Sequence, residues 1–86
     1  MEIHLYTEPG CPACMEAKNF LDARGIEFEE RDVSAHPEYL RILTDEIDSC
    51  TLPTLVVGDT IIAGFDLAQY EMLPVSSPLK RRRTVL

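Results

Sequence analysis

The sequence runs to 86 residues, 45% hydrophobic and 27% charged, which suits one small packed domain, and no apolar run approaches the roughly 20 residues that span a bilayer. Its net charge of −7 hides an asymmetry: residues 1–79 hold all 15 acids and only four basic residues, a net −11, whereas Lys80, Arg81, Arg82 and Arg83 stand together near the end. So acidic a body repels nucleic acid and anionic membranes, and neither is an expected partner.

Residues 2–7, EIHLYT, alternate Ile3 and Leu5 with His4 and Tyr6 and predict a first strand that stops at EPG. From Pro12 to Arg24 the side chains of Cys14, Ala17, Phe20 and Leu21 fall on one helical face, with Pro12 suited to the first turn and Gly25 to the stop. IEFEERDV, 26–33, alternates again and predicts a second strand with an acidic outer face. In SAHPEYLRILTDEID, 34–48, cap-like residues and Pro37 precede Leu40, Leu43 and Ile47 at helical spacing, a second helix. TLVV and TIIA flank Gly58 and Asp59, the short link of a tight antiparallel hairpin. Asp66 then caps a short helix through Met72 whose inner face carries Leu67, Tyr70 and Leu73. The domain is expected to span 1–73. The stretch 74–86, PVSSPLKRRRTVL, has little to bury and reads as a mobile basic tail without an assigned role.

The order is β1-α1-β2-α2-β3-β4-α3, an α/β chain. A right-handed crossover makes the first two strands parallel, and the hairpin completes a mixed four-stranded sheet flanked by helices. The opening MEIHLYTEPG has no basic stretch followed by an apolar run and a cleavage site, so a cytoplasmic location is the expectation. A monomer is also expected.

Three cysteines are too few, and odd in number, for a disulfide scaffold, so the pair in TEPGCPAC needs another explanation. It can be a redox couple, half of a zinc site, or two small hydrophobes. A Cys-x-x-Cys at a helix start sets the first sulfur, Cys11, against free backbone N–H groups and the positive end of the helix dipole, which stabilise a thiolate. Cys14 lies nearly one turn on, placed to attack a mixed disulfide on Cys11 and release the reduced partner. Pro12, with its fixed φ and missing N–H, adjusts that thiolate stabilisation without disturbing the helix. Zinc usually needs four ligands and a second paired motif, whereas Cys50, His4 and His36 stand singly. Inert packing does not account for a pair at a strand-to-helix turn.

YTEPGCPAC after a strand, TLPT before another and GFD before the last helix together resemble the glutaredoxin family, over residues 3 to about 73. The resemblance implies a thioredoxin-like fold and a dithiol oxidoreductase that reduces protein or glutathione-mixed disulfides, Cys11 as nucleophile and Cys14 as resolving thiol. It implies no tightly bound cofactor and glutathione as co-substrate. It further implies a ligand-binding surface formed by Pro12, by Thr51, Leu52 and a cis Pro53, and by Gly64, Phe65 and Asp66. There the Leu52 backbone pairs with glutathione or a substrate strand, and the GFD turn holds the γ-glutamyl end.

The departures from that family are local. Where its members usually carry a lysine three residues before the first cysteine, this chain has Glu8, which disfavours the thiolate and repels an anionic ligand. Ala13 replaces the common tyrosine, Ser49 stands where a basic or amide side chain often helps, and Arg41 is the nearest cation on the second helix. These changes open a redoxin recharged by a thioredoxin-reductase-type flavoenzyme instead of glutathione. A carrier bridging an iron–sulfur cluster through Cys11 and glutathione is the alternative of another class. Cys50, one residue before the TLP loop, is a third thiol near the same surface.

Overall fold

The first strand is buried along almost its whole length, so it lies at the centre of the sheet instead of on one side of it. The structure, a computed structural model, describes residues 2–73, and the expected basic tail over 74–86 lies outside the described residues. β1 (Ile3–Thr7) is followed by α1 (Pro12–Ala23), β2 (Glu29–Asp32), α2 (Pro37–Arg41), β3 (Thr54–Val57), β4 (Thr60–Ala63) and α3 (Leu67–Glu71). The strands order as β2-β1-β3-β4, with β1 parallel to β2 and antiparallel to β3, and β3 antiparallel to β4. This is the expected mixed sheet.

Both faces of the sheet are covered. On one, Leu5, Leu55, Val57 and Ile62 pack with Ala17 and Leu21 of α1 and Tyr70 of α3. On the other, Tyr6 meets Val33, Leu43 and flanking side chains of the α2 region. The alternation in EIHLYT therefore separates two cores, not core from solvent. Tyr6 tolerates burial because its phenol oxygen accepts a hydrogen bond from Arg31 Nη1 at 2.9 Å.

Two predicted elements are shorter than their patterns. The second strand was expected over 26–33 but pairs only from Glu29 to Asp32. The reason lies in how α1 ends: Gly25, at φ +68°, donates to the Asp22 carbonyl and Ile26 N–H to the Leu21 carbonyl, the double bond of a Schellman cap. Ile26 is thus tied to the helix, and it and Phe28 pack against the core before the strand starts. The second helix was expected over 34–48. Instead, Asp32 Oδ1 accepts from the backbone of Ser34 and Ala35 in a turn, and His36, restricted by the following proline, holds an extended φ of −133°. After Arg41 the helix widens into a π-helical turn over Ile42–Glu46, with Leu43 buried, and Asp48 at φ +63° turns the chain towards β3.

Candidate functional site

Strand register alone brings the notable loops together. Tyr6 faces Thr54 across the β1–β3 ladder, Thr54 faces Ala63 across β3–β4, and Thr7 faces Asp32 across β1–β2. The loop after β1, the loop before β3 and the turn after β4 therefore leave from one end of the sheet. TEPGCPAC, TLP and GFD, distant in sequence, share that end.

Cys11 is the N-cap of α1. Its extended backbone (φ −99°, ψ 107°) precedes Pro12 at the first helical position, and its Sγ accepts the Cys14 N–H at 3.2 Å. A sulfur in this position takes the place of the usual serine or aspartate cap, so negative charge on it meets an N–H and the positive end of a 12-residue helix. Cys11 is half-buried, whereas Cys14 is buried on the face that α1 turns to the core, and both thiols are free. Burial pushes the Cys14 thiol up to about 11, and its interaction with the Cys11 sulfur adds to this. Cys14 thus holds its proton at neutral pH.

This carries a stability consequence. A thiol whose folded value lies above its ordinary 9.0 binds a proton more tightly when folded, so its stabilisation is complete below 9.0 and is lost as the pH rises towards about 11. The reduced protein is expected to lose stability through that window, and Cys14→Ala to lose less. Denaturant midpoints of the two proteins across the window measure the difference, and parallel curves would contradict it.

A cleft of about 240 Å³ opens beside Cys11 and is lined by Glu8, Pro9, Gly10, Cys14, Met15, Lys18, Glu30 and Asp32. Glu8 is exposed yet faces the cleft that holds the sulfur. The cleft's one cation, Lys18, is engaged: its Nζ lies 3.1 Å from Glu30 Oε2, which also accepts the buried Thr7 hydroxyl at 2.8 Å. Three carboxylates against one committed ammonium leave this side of the cysteines anionic. The sequence pattern marks Glu27 and Glu29 as the acidic outer face of the strand and assigns nothing to Glu30 and Asp32, whose place beside Cys11 follows from the parallel pairing.

On the other side, the Leu52–Pro53 peptide bond is cis and Pro53 is buried. Thr54 Oγ1 donates to the Thr51 carbonyl, and the Ser49 hydroxyl lies 2.9 Å from Thr54 Oγ1, so Ser49 is turned into the loop. The Gly64 N–H donates to the Pro53 carbonyl at 2.7 Å, and a Cβ on Gly64, at φ +80°, would meet the Thr51 methyl at 3.6 Å. Those contacts join TLP to GFD. Phe65 faces inward, its ring 4.8 Å from Tyr70 and 6.3 Å from Phe20. Asp66 caps α3, accepting from Ala68 and Gln69 N–H at 3.1 and 3.4 Å and from the Gln69 side chain at 3.0 Å. Cys50 and Arg41 are exposed. Among the described residues no cluster of three His, Cys, Asp or Glu side chains is arranged to hold a metal ion.

Residues 3–62 match the glutaredoxin family. This chain belongs to that family. It is 34% identical over 62 residues to a glutaredoxin of Pseudomonas aeruginosa, covering 72% of this chain and 74% of that one. Among solved structures, the thioredoxin-like protein BC3987 superposes with a TM-score of 0.80 at 32% identity, covering 83% of this chain and 97% of its own. The glutaredoxin-like NrdH-redoxin of Escherichia coli, described as having a thioredoxin-like activity profile, gives 0.79 at 28% identity over 90% of this chain and 100% of that one. The fold is thus thioredoxin-like, as the motif order implied. Glutaredoxins are thiol–disulfide oxidoreductases, and Cys11 and Cys14 carry the spacing of their paired cysteines. Among the described residues no helix is long and apolar enough to cross a membrane.

Proposed function

We propose that the protein reduces disulfides by a two-step exchange in which Cys11 is the nucleophile and Cys14 the resolving thiol. The observation that carries this assignment is the division between them: a half-exposed sulfur capping α1 and a buried thiol one turn behind it. The Cys11 thiolate attacks one sulfur of the substrate disulfide, that bond breaks, and the first substrate sulfur leaves as a thiolate that takes a proton. Cys14 then gives up its proton and attacks Cys11 Sγ, and the second substrate sulfur leaves with the electron pair. The product is a Cys11–Cys14 disulfide and a substrate reduced by two electrons.

For the return of electrons we favour a thioredoxin-reductase-type flavoenzyme over glutathione. Glutathione is anionic at neutral pH, and Glu8, Glu30 and Asp32 line the cleft at Cys11, with Lys18 already paired. Likeness to a redoxin with a thioredoxin-like activity profile supports the same choice. Disulfide-containing proteins are then the substrates, with Thr51, Leu52 and Pro53 as the backbone against which a substrate strand lies. NADPH oxidation coupled through each donor decides between them: fast turnover is expected with the flavoenzyme and slow turnover with glutathione and its reductase. Equal or faster turnover with glutathione would reverse the assignment.

A further inference from the structure

Lys18 stands four residues after Cys14, so the two lie on neighbouring turns along one side of α1, and both line the cleft beside Cys11. Long side chains on a helix lean back towards its N-terminus, and the N-terminus of α1 holds the Cys11 sulfur. Left to itself, the Lys18 ammonium is a cation directed along the cleft towards that sulfur. Instead it lies 3.1 Å from Glu30 Oε2, drawn across to β2.

An exposed lysine–carboxylate pair is ordinarily loose, because ordering two long side chains costs about what the pair gains. Glu30 is better fixed than that. It stands beside Leu5 in the β1–β2 ladder, on the sheet face that α1 covers, and its Oε2 also accepts the hydroxyl of buried Thr7 at 2.8 Å. Thr7 thus orders the carboxylate in advance, and only the lysine loses freedom when the pair forms. The pair is partly withdrawn from water as well, with the Lys18 side chain 28% and the Glu30 side chain 41% exposed. We propose that Glu30 is a specificity-determining residue: anchored by Thr7, it holds the Lys18 ammonium against β2 and denies an anionic disulfide a counter-charge at Cys11. Glu8 and Asp32 then face the incoming disulfide uncompensated. Glu30 is a positioning residue, acting through Lys18 and taking no part in bond exchange. The inference deepens the donor choice proposed above and rests on Cys11 being the nucleophile.

Glu30→Gln and Lys18→Met, singly and together in the full chain with Cys50→Ser as background, test it. Glutamine can still accept from Thr7, and methionine keeps most of the lysine stem. Pre-reduced protein is mixed with bis(hydroxyethyl) disulfide, which is neutral, and with the mixed disulfide of glutathione and mercaptoethanol, which is anionic. The readout is the ratio of the two second-order rates, anionic over neutral. Glu30→Gln is expected to raise that ratio roughly tenfold with Lys18 present and only about threefold in Lys18→Met, where the carboxylate's own repulsion is all that is lost. The difference between the backgrounds should fade towards about 1 M salt. A purely structural role for Glu30 would slow both disulfides and lower thermal stability while leaving the ratio where it was. Equal gains in the two backgrounds, or no gain in either, overturn the role of Glu30. Undiminished exchange with the neutral disulfide by Cys11→Ser would instead overturn the assignment of the nucleophile.

Discussion

Cys11→Ser is expected to abolish disulfide reduction, with the loss amounting to several orders of magnitude, while Cys14→Ser stops the cycle half-way. A serine hydroxyl in the N-cap position preserves the helix cap, so the fold should survive, but it does not ionise near neutral pH and cannot exchange with a disulfide. The distinction between the two substitutions follows from burial. Cys11 is half-exposed and accepts the Cys14 N–H, so in the proposed exchange it is the sulfur expected to meet the substrate first, and its removal is expected to close the entry to the cycle. Cys14 is buried and protonated, so its loss leaves attack intact and strands the substrate on Cys11. Mass spectrometry of Cys14→Ser mixed with a disulfide substrate should therefore show one substrate thiol added per chain, and Cys11→Ser should show none. Cys50 is exposed and could take up a label, so it is replaced by serine in both proteins, a change expected to leave turnover at its normal rate. Turnover by Cys11→Ser at a rate near that of the unmodified chain would reassign the nucleophile.

The parts of this arrangement legible in the sequence are those set by local chemistry. Pro12 at the first helical position, Gly25 beyond the last and Gly58-Asp59 between two β-branched runs each act through the backbone at their own position, and α1 and the hairpin form as they dictate. The motifs CPAC, TLPT and GFD carried the family and its fold, since all three occur in order at the ends of elements. What was not legible depends on neighbours across the sheet. The alternation of Ile3 and Leu5 with His4 and Tyr6 separates two faces without saying which are covered, and the burial of Tyr6 depends on the central place of β1 and on the elements packed over both faces. Glu30 and Asp32 belong to the cleft because β2 is parallel to β1 with Thr7 beside Asp32. The helix expected over 34–48 gave way where Asp32 captured the following N–H groups and where the backbone widened after Arg41, and no period in the side chains signals either event. Tyr70 reads correctly as an inward residue, but that its oxygen has no partner among the described residues follows from how α1 and α3 pack.

Glu8→Lys is expected to raise the rate with glutathione-based disulfides by roughly tenfold or more at low ionic strength, with little change towards a neutral small disulfide. Charges about 4 Å apart interact by roughly 1 kcal/mol in bulk water and by about 4 kcal/mol at the effective dielectric of a protein surface, and reversing a sign counts the interaction twice. A tenfold change requires only about 1.4 kcal/mol, which this reversal supplies on either figure at about 4 Å. Glu8 is exposed, so the fold should be unaffected, and it lines the cleft beside Cys11, so the new charge faces the incoming anion. Lys18 is not expected to have a comparable effect in the unmodified chain, because its ammonium lies 3.1 Å from Glu30, which offsets its charge. Salt separates the field from any other consequence of the substitution: the gain should shrink as the Debye length falls from about 10 Å at 0.1 M towards about 3 Å at 1 M. Initial rates with glutathione-mixed and neutral disulfides across that range give the comparison. A rate with glutathione unaltered at low salt would mean that Glu8 exerts no hold on ligand charge and that donor choice is decided on the TLP and GFD side of the cysteines. A gain confined to glutathione and erased by salt would show that one carboxylate sets how readily the cysteines exchange with glutathione.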